Sequence, residues 1–169
     1  MPDQILDDII VKHLPYEIEM LFDTYSALAA TPPPTGVSKD ALIESFCIHA
    51  RSLIYFFANR ASYDDAIAKD FTDGFEVRLN VSAEPMEPLE PMEPLLTKLN
   101  KQIFHLTKRR TVVDIDKFDP VKDVTKILQE IEKERQRFQN YLKPAFKHFK
   151  CKPSPLLVPL KTGPIGTGV

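Results

Sequence analysis

The chain has 169 residues, 43% of them hydrophobic, with 22 Lys and Arg against 24 Asp and Glu for a net charge of −2. That length and apolar content suit one domain with one core. The near-balance of charge excludes a global field drawing the molecule to nucleic acid or anionic lipid, so a partner of that kind needs a local basic patch.

The N-terminal segment MPDQILDD is acidic ahead of its first apolar residues, the opposite polarity to a signal peptide. No apolar run reaches membrane-spanning length, so a soluble, cytoplasmic protein without membrane contact is expected. Ile5, Ile9 and Ile10 begin a helical spacing that resumes with Ile18, Leu21, Phe22, Tyr25 and Leu28. Pro15 between them marks a kink or a restart, since proline suits a first helical turn and is costly inside a helix. The segment stops at TPPPTG, Thr31 to Gly36.

Ser38 is placed to cap a second helix, in which Leu42, Phe46, Ala50, Leu53 and Phe57, flanked by Ile43, Cys47 and Ile54, form a wide apolar stripe. A stripe that wide predicts more than one neighbour and invites a partner subunit. Asp64 to Phe71 has the composition of a short helix and Asp73-Gly74 that of a turn. The sequence EPMEPLEPMEPLL, Glu84 to Leu96, carries four tandem copies of Glu-Pro-apolar. Proline at every third position removes amide donors and disfavours the α conformation of each preceding residue. Residues 74–93 are therefore expected as an extended connector, with Pro94 opening a third helix.

The third helix runs through LLTKLNKQIFHLTKRR. On a helical wheel Leu95, Leu96, Leu99, Ile103 and Leu106 share one arc, while Lys98, Lys101, His105, Lys108 and Arg109 fall mostly opposite. A fourth helix opens at Asp119-Pro120, and its positions Val121, Val124, Leu128, Ile131, Phe138 and Leu142 step by three and four. Arg135 breaks that row, and Pro144 ends or kinks the helix. These elements predict an all-α fold, an antiparallel four-helix bundle with a long Pro-rich connector before the third main helix. Residues 1–150 form the domain and 151–169 an irregular tail in which Leu156, Leu157 and Val158 lie against the body.

The lysine-rich face of the third helix can follow a phosphate backbone, and His105 within it can move a proton near neutral pH. The plain alternative is a solvated helix face. His49 falls at the edge of the second helix's stripe, where a hydrogen-bonded core histidine is expected, and Arg51 lies on that helix's polar side. His13 and His148 have no chemical company in sequence. Cys47 and Cys151 form no CxxC and predict neither a disulfide framework nor a zinc site. No repeated His or carboxylate pair predicts a di-metal bundle, and no phosphate loop or nucleophile elbow is present, so neither metal nor cofactor is expected.

Two stretches together, ALIESFCIHARSLIYFF (Ala41 to Phe57) and LNKQIFHLTKRR (Leu99 to Arg110), resemble small bacterial proteins related to the HEPN superfamily. Those are helical bundles common in toxin-antitoxin, abortive-infection and RNA-processing systems. The HEPN ribonuclease signature is an arginine, often followed by a polar residue, with a histidine a few residues on, and two copies meet across a dimer. Asn100 and His105 match the polar residue and the histidine, while the arginine position is Leu99. Lys98, the nearest cation, lacks the bidentate fork of arginine.

The resemblance thus implies a non-catalytic domain, dimeric through helix packing, that binds RNA or a protein partner with Lys98, Lys101, Lys108 and Arg109, joined by Arg51. A second reading is a metal-independent endoribonuclease of toxin type, with His105 moving the proton and Arg109 or Lys101 neutralising phosphate. A third is a scaffolding protein whose Glu-Pro repeat is the interaction element.

Overall fold

The computed structural model describes residues 2–60, 64–79, 99 and 122–157. Helix α1 spans Pro2–Asp8 and continues through a π-helical turn, Ile9–His13, into α2, Leu14–Leu28. The widened turn accounts for Pro15 more fully than a kink does. Proline has no amide to donate four residues back, and its ring clashes there with the carbonyl. The amide of Leu14 bonds instead to the carbonyl of Ile9, one residue further back than in an α-helix. Ile10, Leu14, Ile18, Leu21 and Phe22 then reach the core on one continuous face.

Helix α3 spans Gly36–Phe57. It begins before Ser38, the expected cap: Thr35 is the N-cap residue, extended and without a side-chain capping bond. The turn from extended to helical backbone is made at Gly36, whose φ of 56° is open to glycine at no steric cost. At the far end Asn59 adopts a φ of 53°. Its amide bonds to the Phe56 carbonyl and that of Arg60 to the Tyr55 carbonyl, the paired closure of a Schellman motif. The side chain of Asn59 also accepts the Lys69 amide at 2.9 Å, so the residue that closes α3 caps the first turn of α4, Ala68–Phe71. The short helix expected over 64–71 is thus confined to its last turn.

After α4 the chain makes one antiparallel bridge, Thr72 to Leu142, with the Asp73 amide on the Tyr141 carbonyl and the Lys143 amide on the Phe71 carbonyl, both at 3.0 Å. Gly74, with φ 72°, turns the backbone where Asp73-Gly74 was expected to turn. Helix α5 spans Lys122–Tyr141 and buries Val124, Ile127, Leu128, Ile131 and Phe138 on one face. Pro144 stands in a 3₁₀ turn, Pro144–Phe146, beyond the helix end, and a second such turn covers Pro155–Leu157. The start of the tail lies against the body: Ser154 is fully buried and Leu156 packs on the core.

Helix α2 packs most extensively on α3, α3 packs on α5, and α2 touches α5 more lightly. The described residues contain no β-strand, so the fold is all-α. Ile43, Phe46, Cys47, Ala50, Leu53, Ile54 and Phe57 of the α3 stripe are all buried within the one chain, so the stripe finds its neighbours without a partner subunit. Of the third predicted helix, Leu99 is described; it is helical and fully buried, as its place on the apolar arc requires. The connector, the rest of that helix, Asp119 to Val121 and Val158 lie outside the described residues. No described helix is long and apolar enough to cross a membrane.

The core is organised by aromatic rings around Phe138. Its ring centroid lies 5.5 Å from Phe56, 5.7 Å from Phe57, 6.2 Å from Phe75 and 5.9 Å from Phe149, each in an edge-on arrangement. Phe71 stands 6.4 Å away and meets Phe146 at 5.2 Å. Edge-to-face contacts add to the area such rings bury. Truncating Phe138→Ala opens a cavity at the junction of α3, α4, α5 and the C-terminal segment, and is expected to cost about 3–5 kcal/mol. The check is urea unfolding, with a lower midpoint and an unchanged m-value.

Candidate functional site

Of the residues assigned a binding or catalytic role in sequence, Arg51 is described. It is half-buried on α3, with its guanidinium carbon 5.1 Å from the centre of the Tyr55 ring, within cation–π range. Lys98, Asn100, Lys101, His105, Lys108 and Arg109 lie outside the described residues. His49 is buried, its Nδ1 2.9 Å from Glu17 Oε2 on α2 and its ring 5.8 Å from Tyr16 in an edge-on contact. It joins α2 to α3 as a hydrogen-bonded core histidine. His148, without company in sequence, stands 3.0 Å from Asp7 of α1. Among the described residues no group of three His, Cys, Asp or Glu side chains is placed to hold a metal ion.

The most concentrated buried chemistry is on α5, where Glu132, Glu134 and Arg135 are each at least nine-tenths buried. Arg135 occupies the apolar row between Ile131 and Phe138, and its burial follows from that register. Its Nε and Nη2 donate to the two oxygens of Glu132, each at 2.6 Å, and its Nη1 donates to Gln139 Oε1 at 3.1 Å and to Cys151 Sγ at 3.0 Å. Gln136 adds a further bond to Glu132 at 2.8 Å. The bidentate fork keeps the guanidinium charged: its bonds to Glu132 raise its pKa, against the opposing effect of burial. Two residues on, Arg137 Nη1 meets both oxygens of Glu134, at 2.7 and 2.6 Å, and its Nη2 donates to the Glu76 carbonyl. Its guanidinium also stands 5.3 Å from the Phe75 ring centre. Glu132 and Glu134 are thus each matched three residues later by an arginine.

Neither cysteine is tuned as a nucleophile. Burial pushes the Cys47 thiol up from 9.0 to about 12, with Glu44 adding in the same direction. Burial also raises Cys151, and the neighbouring Arg135 only partly offsets it. Both remain thiols at neutral pH, whereas reactive cysteines sit in surroundings that stabilise the thiolate.

A second charged feature follows the end of α5, one that helical periodicity does not single out and whose signal is compositional. Lys143, Lys147, His148, Lys150 and Lys152 fall within one short stretch. Phe146 and Phe149 alternate with them and are buried, while Lys147, His148, Lys150 and Lys152 are exposed. Lys143 Nζ donates to the Asp70 carbonyl at 2.7 Å, and Lys152 pairs with Asp23 of α2. The aromatic residues pin the backbone and leave the cations outside.

No family model matches the chain, and neither a curated protein nor a solved structure matches it.

Two outcomes test this part of the structure. Glu132→Ala strands a buried guanidinium and is expected to cost about 3–5 kcal/mol, whereas the double variant Glu132→Leu/Arg135→Met recovers most of that loss. The check is a double-mutant cycle by chemical denaturation. For Cys47, the raised native pKa means that the unfolded chain loses the thiol proton first. The contribution is therefore full below pH 9 and is lost as pH rises toward about 12. Over that window the parent loses stability more steeply than Cys47→Ala, by roughly 1.4 kcal/mol per pH unit. Unfolding curves of both proteins across the window measure the difference.

Proposed function

We propose that the chain is a non-catalytic, HEPN-like antiparallel bundle that binds RNA through the basic face of its third predicted helix. The observation that supports this reading best is the complete burial of Leu99 in a helix. With Leu99 inward, a period of about 100° per residue groups Leu95, Leu96, Ile103 and Leu106 with it, and sets Lys98, Lys101, His105, Lys108 and Arg109 on the remaining arc. The same burial bears on catalysis. Leu99 stands where the HEPN signature has its arginine, and a core leucine there fits binding rather than cleavage.

The cysteines and the buried charges of α5 are consistent with this reading, since each is held by packing or by a partner inside the fold. A dimer, which the resemblance implies, would use a face other than the α3 stripe, because that stripe is buried within the protomer. A protein with an acidic surface is the other partner such a face would suit.

Binding to a labelled single-stranded RNA is expected to weaken steeply with salt, and Lys101→Glu/Arg109→Glu is expected to weaken it about tenfold or more and to flatten the salt dependence. Fluorescence anisotropy at several salt concentrations checks this. Salt-independent binding, or binding indifferent to these substitutions, contradicts the proposed face. RNA cleavage in the presence of a chelator that disappears in His105→Ala would replace the binding reading with the ribonuclease reading.

A further inference from the structure

We infer that the segment from Tyr141 to Lys152 is a second contact surface for single-stranded RNA, lying outside the third predicted helix. This inference deepens the RNA reading above and rests on it for the class of ligand. Its basis is a set of cations held on a fixed backbone in a chain whose net charge is −2. The backbone is fixed at both ends of the segment. The Lys143 amide is bonded to the Phe71 carbonyl, Phe146 and Phe149 are buried against Phe71 and Phe138, and Ser154 is fully buried.

The cations differ in what they already do. Lys143 holds a backbone carbonyl, and His148 and Lys152 face Asp7 and Asp23 on the N-terminal helices. Lys147 and Lys150 are exposed, and among the described residues neither has an anionic partner. They are the two charges available to phosphate without breaking an interaction of the fold. Lys147 follows one buried phenylalanine and Lys150 the other, so the spacing of the two charges is set by the core.

Tyr141 selects single-stranded RNA among polyanions. It is 42% exposed at the end of α5, two positions before Lys143, and meets Phe75 edge-on at 6.1 Å. An exposed ring close in sequence to a run of lysines on a fixed backbone offers unpaired bases a stacking face and their phosphates neutralising charge. A bilayer surface is disfavoured by the same residues, since membrane-surface segments insert aromatic or aliphatic side chains beside their cations. Here the phenylalanines between the lysines point into the core.

The experiment uses the full chain and a fluorescein-labelled oligouridylate of roughly ten nucleotides, a length within the footprint of such surfaces. Anisotropy is followed in low salt and on raising the salt. Lys147→Glu/Lys150→Glu is expected to raise Kd about tenfold or more and to reduce the salt slope by roughly 0.7 for each phosphate no longer neutralised. Lys147→Gln/Lys150→Gln is expected to show a smaller effect in the same direction. Tyr141→Ala is expected to weaken binding roughly tenfold, and Tyr141→Phe to retain it. Circular dichroism of each variant verifies the fold.

Separate results overturn this inference and the reading it rests on. If the oligouridylate binds and only Lys101→Glu/Arg109→Glu weakens it, the Tyr141 to Lys152 surface is refuted and the third-helix face stands. If only the variants of this segment weaken binding, the surface stands and the third-helix face is refuted. If the parent does not bind the oligouridylate even in low salt, both fall. Equal binding of inorganic polyphosphate together with indifference to Tyr141→Ala overturns the assignment to RNA, as does capture by phosphatidylserine vesicles without binding to the oligonucleotide.

Discussion

The structure depends first on the packing around one ring. Phe138 is fully buried and touches aromatic residues from α3, from α4, from the segment after it and from the stretch that follows α5. Helices joined by proline-rich connections have little local reason to choose one mutual arrangement. Edge-on packing of several phenylalanines at one point supplies that reason, because such rings interlock in few geometries at native density. The bridge between Thr72 and Leu142 lies beside this cluster and fixes where α5 ends.

A second constraint follows from the first. Helix α5 must present Phe138 inward, and its register then carries Arg135 and Glu132 into the protein as well. An unpaired charge there would cost several kcal/mol, whereas the fork between the two side chains, with Gln136, Gln139 and Cys151 around it, leaves few groups unsatisfied. The pairing of Arg137 with Glu134 repeats the device nearer the surface. The cations after the helix face the opposite requirement, since the alternation with Phe146 and Phe149 keeps them in water. Buried charge on α5 thus serves the fold, while the described lysines after it stay in water on a backbone that the core holds.

Parts of this were legible in the sequence for definite physical reasons. The stripe of α3 and the row of α5 follow from a period near 3.6, the burial of His49 follows from its place at the edge of the α3 stripe, and that of Leu99 from the apolar arc of the third predicted helix. The disruption around Pro15 was legible, but its form was not: a missing amide announces itself in sequence, while the π-turn that absorbs it is a choice of the whole helix. Ser38 looked like a cap because its side chain is suited to one, yet the backbone turned earlier, at Gly36, where glycine allows a positive φ. Arg135 was visible as a break in an apolar row. Its bond to Cys151 was not, because the two meet only once the chain has folded back past Pro144. The partner of His148 on α1 was hidden for the same reason. Lys147 and Lys150, each next to a buried phenylalanine, escaped because the stretch follows neither the helical nor the strand period.

The central claim is that the stretch after α5 belongs to the core and is held as firmly as the helix itself. Native-state hydrogen exchange at the amides of Asp73 and Lys143, the two donors of the bridge, tests it most directly. Both are predicted to exchange as slowly as amides in the middle of α5, through the same global opening. Exchange of these two amides at the rate of an unstructured peptide, while α5 stays protected, would contradict it.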